Sequence, residues 1–168
     1  MTPSTSDLQH DLRERLIDAL AGANAHVPFS EVVRDLPADA RDRRPAGAPH
    51  SLFDVLEHLR ITTWDILEFS RDSKHASPSW PTGYWPAQGS TSANGAWEKS
   101  VAAYERDLKS FAALIADPKI DLFARIDHPD AKPHHTLARE AMVIVDHNGY
   151  HWGEMVLLRR LLGAWPQP

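Results

Sequence analysis

Apolar residues in this chain recur at spacings of three and four in four stretches kept apart by proline- and glycine-rich breaks. No run of useful length alternates with the period of two that a half-buried strand needs. The first stretch runs from about Asp7 to Asn24 through Leu8, Leu12, Leu16, Ile17 and Leu20. Val27, Phe29, Val32, Val33 and Leu36 extend it before PADARDRRPAGAP breaks the pattern. The second begins at Ser51, an N-cap with Asp54 three residues on, and carries Leu52, Val55, Leu56, Leu59, Ile66 and Phe69 to about Arg71. The third spans about Asn94 to Ala116, with Asp117-Pro118 as its stop. Lys119 to His135 reads as a turn or short extended piece around Ile120, Leu122 and Phe123. The fourth runs from about Thr136 to Leu162 and is closed by Gly163 and then Pro166. These stretches predict an all-α protein, an antiparallel four-helix bundle with long crossover loops, in a single domain over residues 1–168. The loop between Arg71 and Asn94 is long for a compact domain, and such loops usually cover a site.

Composition narrows the partners and the chemistry. The formal charge is −5 and no basic run offers the clustering that phosphate-backbone binding needs, so nucleic acid is not an expected partner. The apolar runs are short and interrupted by charge, and the first residues are polar and acidic, so a soluble, cytoplasmic protein without membrane association is expected. With no cysteine, disulfides, thiolate ligands and cysteine nucleophiles are excluded, and any metal must be held by nitrogen and oxygen.

Histidine is therefore the residue to follow, and the last helix, DHNGYHWGEMVLLRRLLG, carries it in an unexpected place. At 100° per residue, His151 lies about 40° from His147 and Glu154 about 20° to the other side, so all three share one direction with Val143, Ile144, Leu158, Leu161 and Leu162. Imidazoles one helical turn apart can converge on one divalent ion. With ten histidines in 168 positions, one such pair is unremarkable by itself, and two half-buried core histidines are the alternative. Against that alternative, an unpartnered buried imidazole costs about 1–3 kcal/mol. Gly149 and Gly153 each cost the helix about 1 kcal/mol relative to alanine, which a close approach by a helix or ligand would explain.

A metal site needs a third ligand, and the second helix offers His58 at the edge of its apolar arc, with Thr62 and Asp65 following at one and two turns. Asp65 is the candidate to orient an imidazole through its other nitrogen, the alternative being a surface aspartate. His10, His26, His50, His75, His128, His134 and His135 fall at helix ends or in loops and read mostly as solvated, with His134 and His135 near a possible site mouth. Trp80, Tyr84 and Trp85 either wall a pocket or pin the long loop. Arg159 and Arg160 either meet an anion or sit solvated at the helix end.

A histidine within EHLRITTWDILEFS, a His-x-x-x-His pair within DHNGYHWGEMVLLRRLLGAW about ninety residues later, and the helix order over about Leu8 to Trp165 together resemble the DinB-like (DinB/YfiT) superfamily. The resemblance implies a four-helix bundle in which His58, His147 and His151 bind one divalent metal ion, Ni2+ or Zn2+. It also implies a homodimer, and a small-molecule or thiol substrate for a metal-dependent thiol transferase or hydrolase. Relatives without turnover imply the other reading, a metal- or ligand-binding stress protein. Relatives often carry glutamine where this chain has Glu154, and a carboxylate there can be a fourth ligand, an acceptor behind a ligand, a general base, or simply a salt-bridge partner. Asn148 stands where a zincin protease carries its glutamate, which disfavours proteolysis by that route.

Overall fold

The computed structural model describes residues 5–22 and 24–166, with side chains from Asp7 onward, and these are helical with no strand. Six α-helices follow one another: α1 (Thr5–Leu20), α2 (Phe29–Val33), α3 (Ala38–Arg41), α4 (Leu52–Arg71), α5 (Ala96–Ala116) and α6 (Leu137–Leu161), with a 3-10 turn at Thr82–Tyr84 in the long loop. The four long helices coincide with the four periodic stretches. α4 packs on α5 and α6, and α1 packs on the same two. No helix is long and apolar enough to cross a membrane among the described residues.

Local chemistry explains the boundaries. At α4 the Ser51 hydroxyl accepts from the Asp54 amide at 3.1 Å while the Asp54 carboxylate accepts from the Ser51 amide at 2.8 Å, the reciprocal cap that the sequence predicts. At α6 the Thr136 hydroxyl caps the Arg139 amide, and Gly163, at φ 68°, ends the helix. α1 stops earlier than its periodicity suggests, at Leu20 instead of Asn24, because Gly22 turns the chain at φ 73° and a Cβ there would lie 2.4 Å from the Trp152 ring. The expected extension after α1 is instead two separate short helices, α2 and α3, the second formed within the proline-rich break. Of the turn or short extended piece expected around Ile120, Leu122 and Phe123, it is the turn that forms. An isolated antiparallel bridge follows, between Arg125 and Thr136.

The core has two apolar clusters. One joins Phe29, Val32, Leu52, Val55, Leu56, Leu59, Trp97, Tyr104, Trp152, Met155 and Leu158; the other joins Leu16, Leu20, Leu67, Phe111, Ile115, Leu122, Leu137, Ala141 and Ile144. Between them, α4 buries His58, Thr62, Thr63 and Asp65, and α6 buries Asn148 and His151. A polar belt thus crosses the middle of the molecule where both helices would be expected to continue their apolar stripes. The buried face of α6 is centred on Ile144, Asn148, His151, Trp152 and Met155, so Leu161, expected on that stripe, is 61% exposed. Arg159, expected at the surface or against an anion, is fully buried: its guanidinium donates to the carbonyls of Val32 at 2.7 Å, Arg34 at 2.9 Å and Ala164 at 2.8 Å, tying α6 to α2 and to the chain after it.

Candidate metal centre

The belt brings the three histidines together. α4 supplies His58 and α6 supplies His147 and His151 from successive turns of one face, and the ring centroids form a near-equilateral triangle with sides of 4.9, 4.8 and 4.5 Å. One nitrogen from each ring falls within 4.8 Å of the others, and this is the group among the described residues able to hold a metal ion. Tetrahedral coordination at metal–nitrogen distances of about 2.0–2.1 Å requires nitrogens roughly 3.4 Å apart, so the widest separation must close by at most about 1.4 Å while the His58–His147 pair, at 3.0 Å, opens slightly to admit a divalent ion.

Hydrogen bonds fix which nitrogens face the centre. His58 Nδ1 lies 2.7 Å from the Tyr84 carbonyl and His151 Nδ1 lies 2.7 Å from Glu154 Oε2. Carbonyl and carboxylate only accept, so both Nδ1 atoms carry the proton and both Nε2 atoms present lone pairs. His58 Nε2 sits 3.0 Å from His147 Nε2, which makes His147 the donor of that bond. His147 is consequently the one member whose proton must leave Nε2 for all three to act as ligands through that atom.

The electrostatics favour neutral imidazoles. Burial, followed by the neighbouring His151 and His58 rings, pushes the His147 imidazolium down to about 3. Burial, then His58 and His50, takes His151 down to about 4. His58 is also lowered, chiefly by burial, with the Tyr84 carbonyl opposing. All three are neutral at pH 7, the form a metal requires.

The long loop closes one side of the triad. Trp85 stacks on His58 with centroids 4.1 Å apart and planes 5° from parallel, and its other face carries His50 at 3.8 Å and 19°. Trp85 therefore belongs to the site, whereas Trp80 is 77% exposed and, among the described residues, its ring meets that of Tyr84. His50, read as solvated from its loop position, also brings Nδ1 to 3.9 Å from Glu154 Oε1. Sequence reasoning missed it; the only available signal was its place directly before the Ser51 cap, which sets it at the mouth of α4.

Glu154 stands behind His151 as the acceptor that orients it. Asp65 is buried, not superficial, but no triad imidazole bonds to it: its carboxylate accepts from His75 Nε2 at 2.8 Å and from the Tyr84 hydroxyl at 2.7 Å. It thereby anchors the residue whose carbonyl holds His58, one step further out than expected. The Tyr84 hydroxyl is pushed up to about 12 by burial and by Asp65, so it remains a donor. His128, also buried, holds the His75 carbonyl at 2.8 Å, which extends the support into the segment before α6.

The two glycines of α6 do not make room for the site. A Cβ on Gly153 would meet nothing within 4 Å, and one on Gly149 would make an ordinary 3.7 Å contact with His26. Further along the groove between α4 and α6, a cavity of about 210 Å3 is lined by Asp65, Ile66, Phe69, Ser77, His135 and Glu140 among others.

No curated protein and no solved structure matches this chain. The family model of the DinB superfamily matches residues 21–155, a span that contains His58, His147, His151 and Glu154. The chain belongs to the DinB superfamily.

Proposed function

We propose that His58, His147 and His151 hold one divalent metal ion, Ni2+ or Zn2+, and that the protein is a metal-dependent enzyme acting on a small molecule by thiol transfer or hydrolysis. The observation that carries this reading is the triangle of three neutral imidazoles, two of them locked with Nε2 inward by Tyr84 and Glu154. Neutral nitrogen ligands suit either metal, and three of them leave positions for water or substrate. Such an ion supplies a Lewis acid that can acidify a water or a thiol. The chain's own residues do the rest. Tyr84 and Glu154 fix ring orientation, Trp85 excludes water from one face of His58, and Glu154 Oε1, pointing towards His50, can accept a proton beside the centre. The finer architecture follows from the same reading: α1, α4, α5 and α6 form an antiparallel four-helix bundle, supported by the packing of α4 and α1 on the same pair of helices.

Elemental analysis of the purified protein tests the binding claim, with about one nickel or zinc per chain expected and none after His147→Ala. Turnover is tested by offering the metal-loaded protein low-molecular-weight thiols with electrophiles, and a panel of esters and amides. Metal at full stoichiometry without turnover of any of these would support a binding protein instead of an enzyme.

A further inference from the structure

The cavity of about 210 Å3 between α4 and α6 has a wall of acceptors that the protein leaves partly unfilled. Asp65 follows His58 by two helical turns, and Val143 and Glu140 precede His147 by one and two, so the cavity stands apart from the metal centre along the same pair of helices. Glu140 is 2% exposed, and its two oxygens share one donor, Nη1 of Arg139, at 2.8 and 2.9 Å. A carboxylate has about four lone-pair sites, so about half of this buried group's capacity is unspent. Asp65 is 7% exposed and accepts from His75 and Tyr84, which again leaves about half. His135 Nδ1 is shut off from solvent and has no partner among the described residues. Buried acceptors in this condition need donors from somewhere. We infer that this cavity binds a small primary amine in its ammonium form, held by Glu140 and Asp65.

Charge and shape select that ligand. The lining carries two carboxylates against one guanidinium, and the Arg139 side chain is 45% exposed, where water screens it, while that of Glu140 is 3% exposed. A cation is therefore favoured over an anion. Burial lowers His135, so its ring is neutral at pH 7 and adds no charge to repel an ammonium. An ammonium also brings three donors and no acceptor, the complement of a wall short of donors, whereas an alcohol brings one donor. Ile66, Phe69 and Val143 line the rest with apolar surface for a short carbon chain. An apolar cavity of roughly 150 Å3 takes a benzene molecule. The cavity between α4 and α6 is larger and has room for butylammonium.

Titration of the metal-free protein with butylammonium at pH 7, followed by proton–nitrogen correlation spectra, tests the inference whatever the triad holds. Saturable shifts are expected at the amides of Ile66, Phe69 and Val143, with a dissociation constant on the order of 1 mM for so small a ligand. Butanol and butyrate bind at least about tenfold more weakly, since neither supplies a charged donor. Glu140→Gln keeps the side chain's shape, removes its charge and weakens the amine about tenfold. Arg139→Gln frees Glu140 and tightens the amine about threefold or more, where it would weaken a bound anion. Val143→Phe fills the cavity and abolishes saturation with every charge left in place. Circular-dichroism melting confirms that each variant folds. Butanol or butyrate binding as tightly as the amine overturns the inference, as does the absence of saturable shifts at these amides. An amine indifferent to both Glu140→Gln and Val143→Phe sits elsewhere and overturns it too.

Discussion

Glu154 decides how His151 presents its nitrogen. Its carboxylate holds Nδ1–H at 2.7 Å and leaves the second oxygen towards His50. A glutamine keeps an acceptor oxygen in the same place, so Glu154→Gln retains the metal to within a few-fold, whereas Glu154→Ala frees the ring and weakens binding about 10–100-fold. Isothermal titration with zinc or nickel measures both. If Glu154 is also the proton acceptor of a reaction, Glu154→Gln loses turnover while keeping the ion. The sequence placed this side chain on the right face but left its role open among ligand, acceptor and base, because a helical angle fixes direction and not which atom of a carboxylate meets which nitrogen.

At the scale of elements, the long loop and the α1–α2 turn do more than connect. Trp85 is sandwiched between His50 and His58, and the preceding carbonyl is the His58 acceptor, so the loop is a wall of the site. Trp85→Ala should lower metal affinity about tenfold or more while Trp85→Phe, which keeps a stacking face, recovers most of it; competition against a chromophoric chelator reads the difference. Gly22 combines a left-handed backbone with a ring at 2.4 Å from where a Cβ would stand, so Gly22→Ala costs stability on the order of 2 kcal/mol or more, seen as a lower midpoint in urea. The helices and the Ser51 cap were legible because periodicity and capping are local. The stacking of His50 and the bonding of Asp65 to His75 and Tyr84 were not, since they depend on where a loop without periodicity returns to the helices. Gly149 and Gly153 misled in the opposite direction: they lie on the α6 helix of the site, but on its outer side.

For the whole molecule, the division of the core into two apolar clusters with a polar belt between them ties stability to protonation. His147 and His151 titrate at about 3 and 4 in the folded chain and near 6.5 when unfolded, so between those limits the unfolded chain binds more protons. Their contribution is fully present above about pH 6.5 and is lost as pH falls towards 3–4. Thermal melts of the metal-free protein should show the midpoint declining through that window, with a shallower decline in His147→Ala. Added zinc or nickel should raise the midpoint at pH 7 in proportion to the logarithm of its concentration.

The claim on which the rest depends is that three imidazoles share one ion. A crystal of the protein grown with zinc or nickel, measured at the absorption edge of that metal, tests it directly. One anomalous peak per chain is expected, about 2.0–2.1 Å from Nε2 of His58, His147 and His151, with Glu154 bonded to His151 behind it. A triad that stays hydrogen-bonded between His58 and His147 with no peak at its centre, or a peak held by fewer than these three rings, would contradict it.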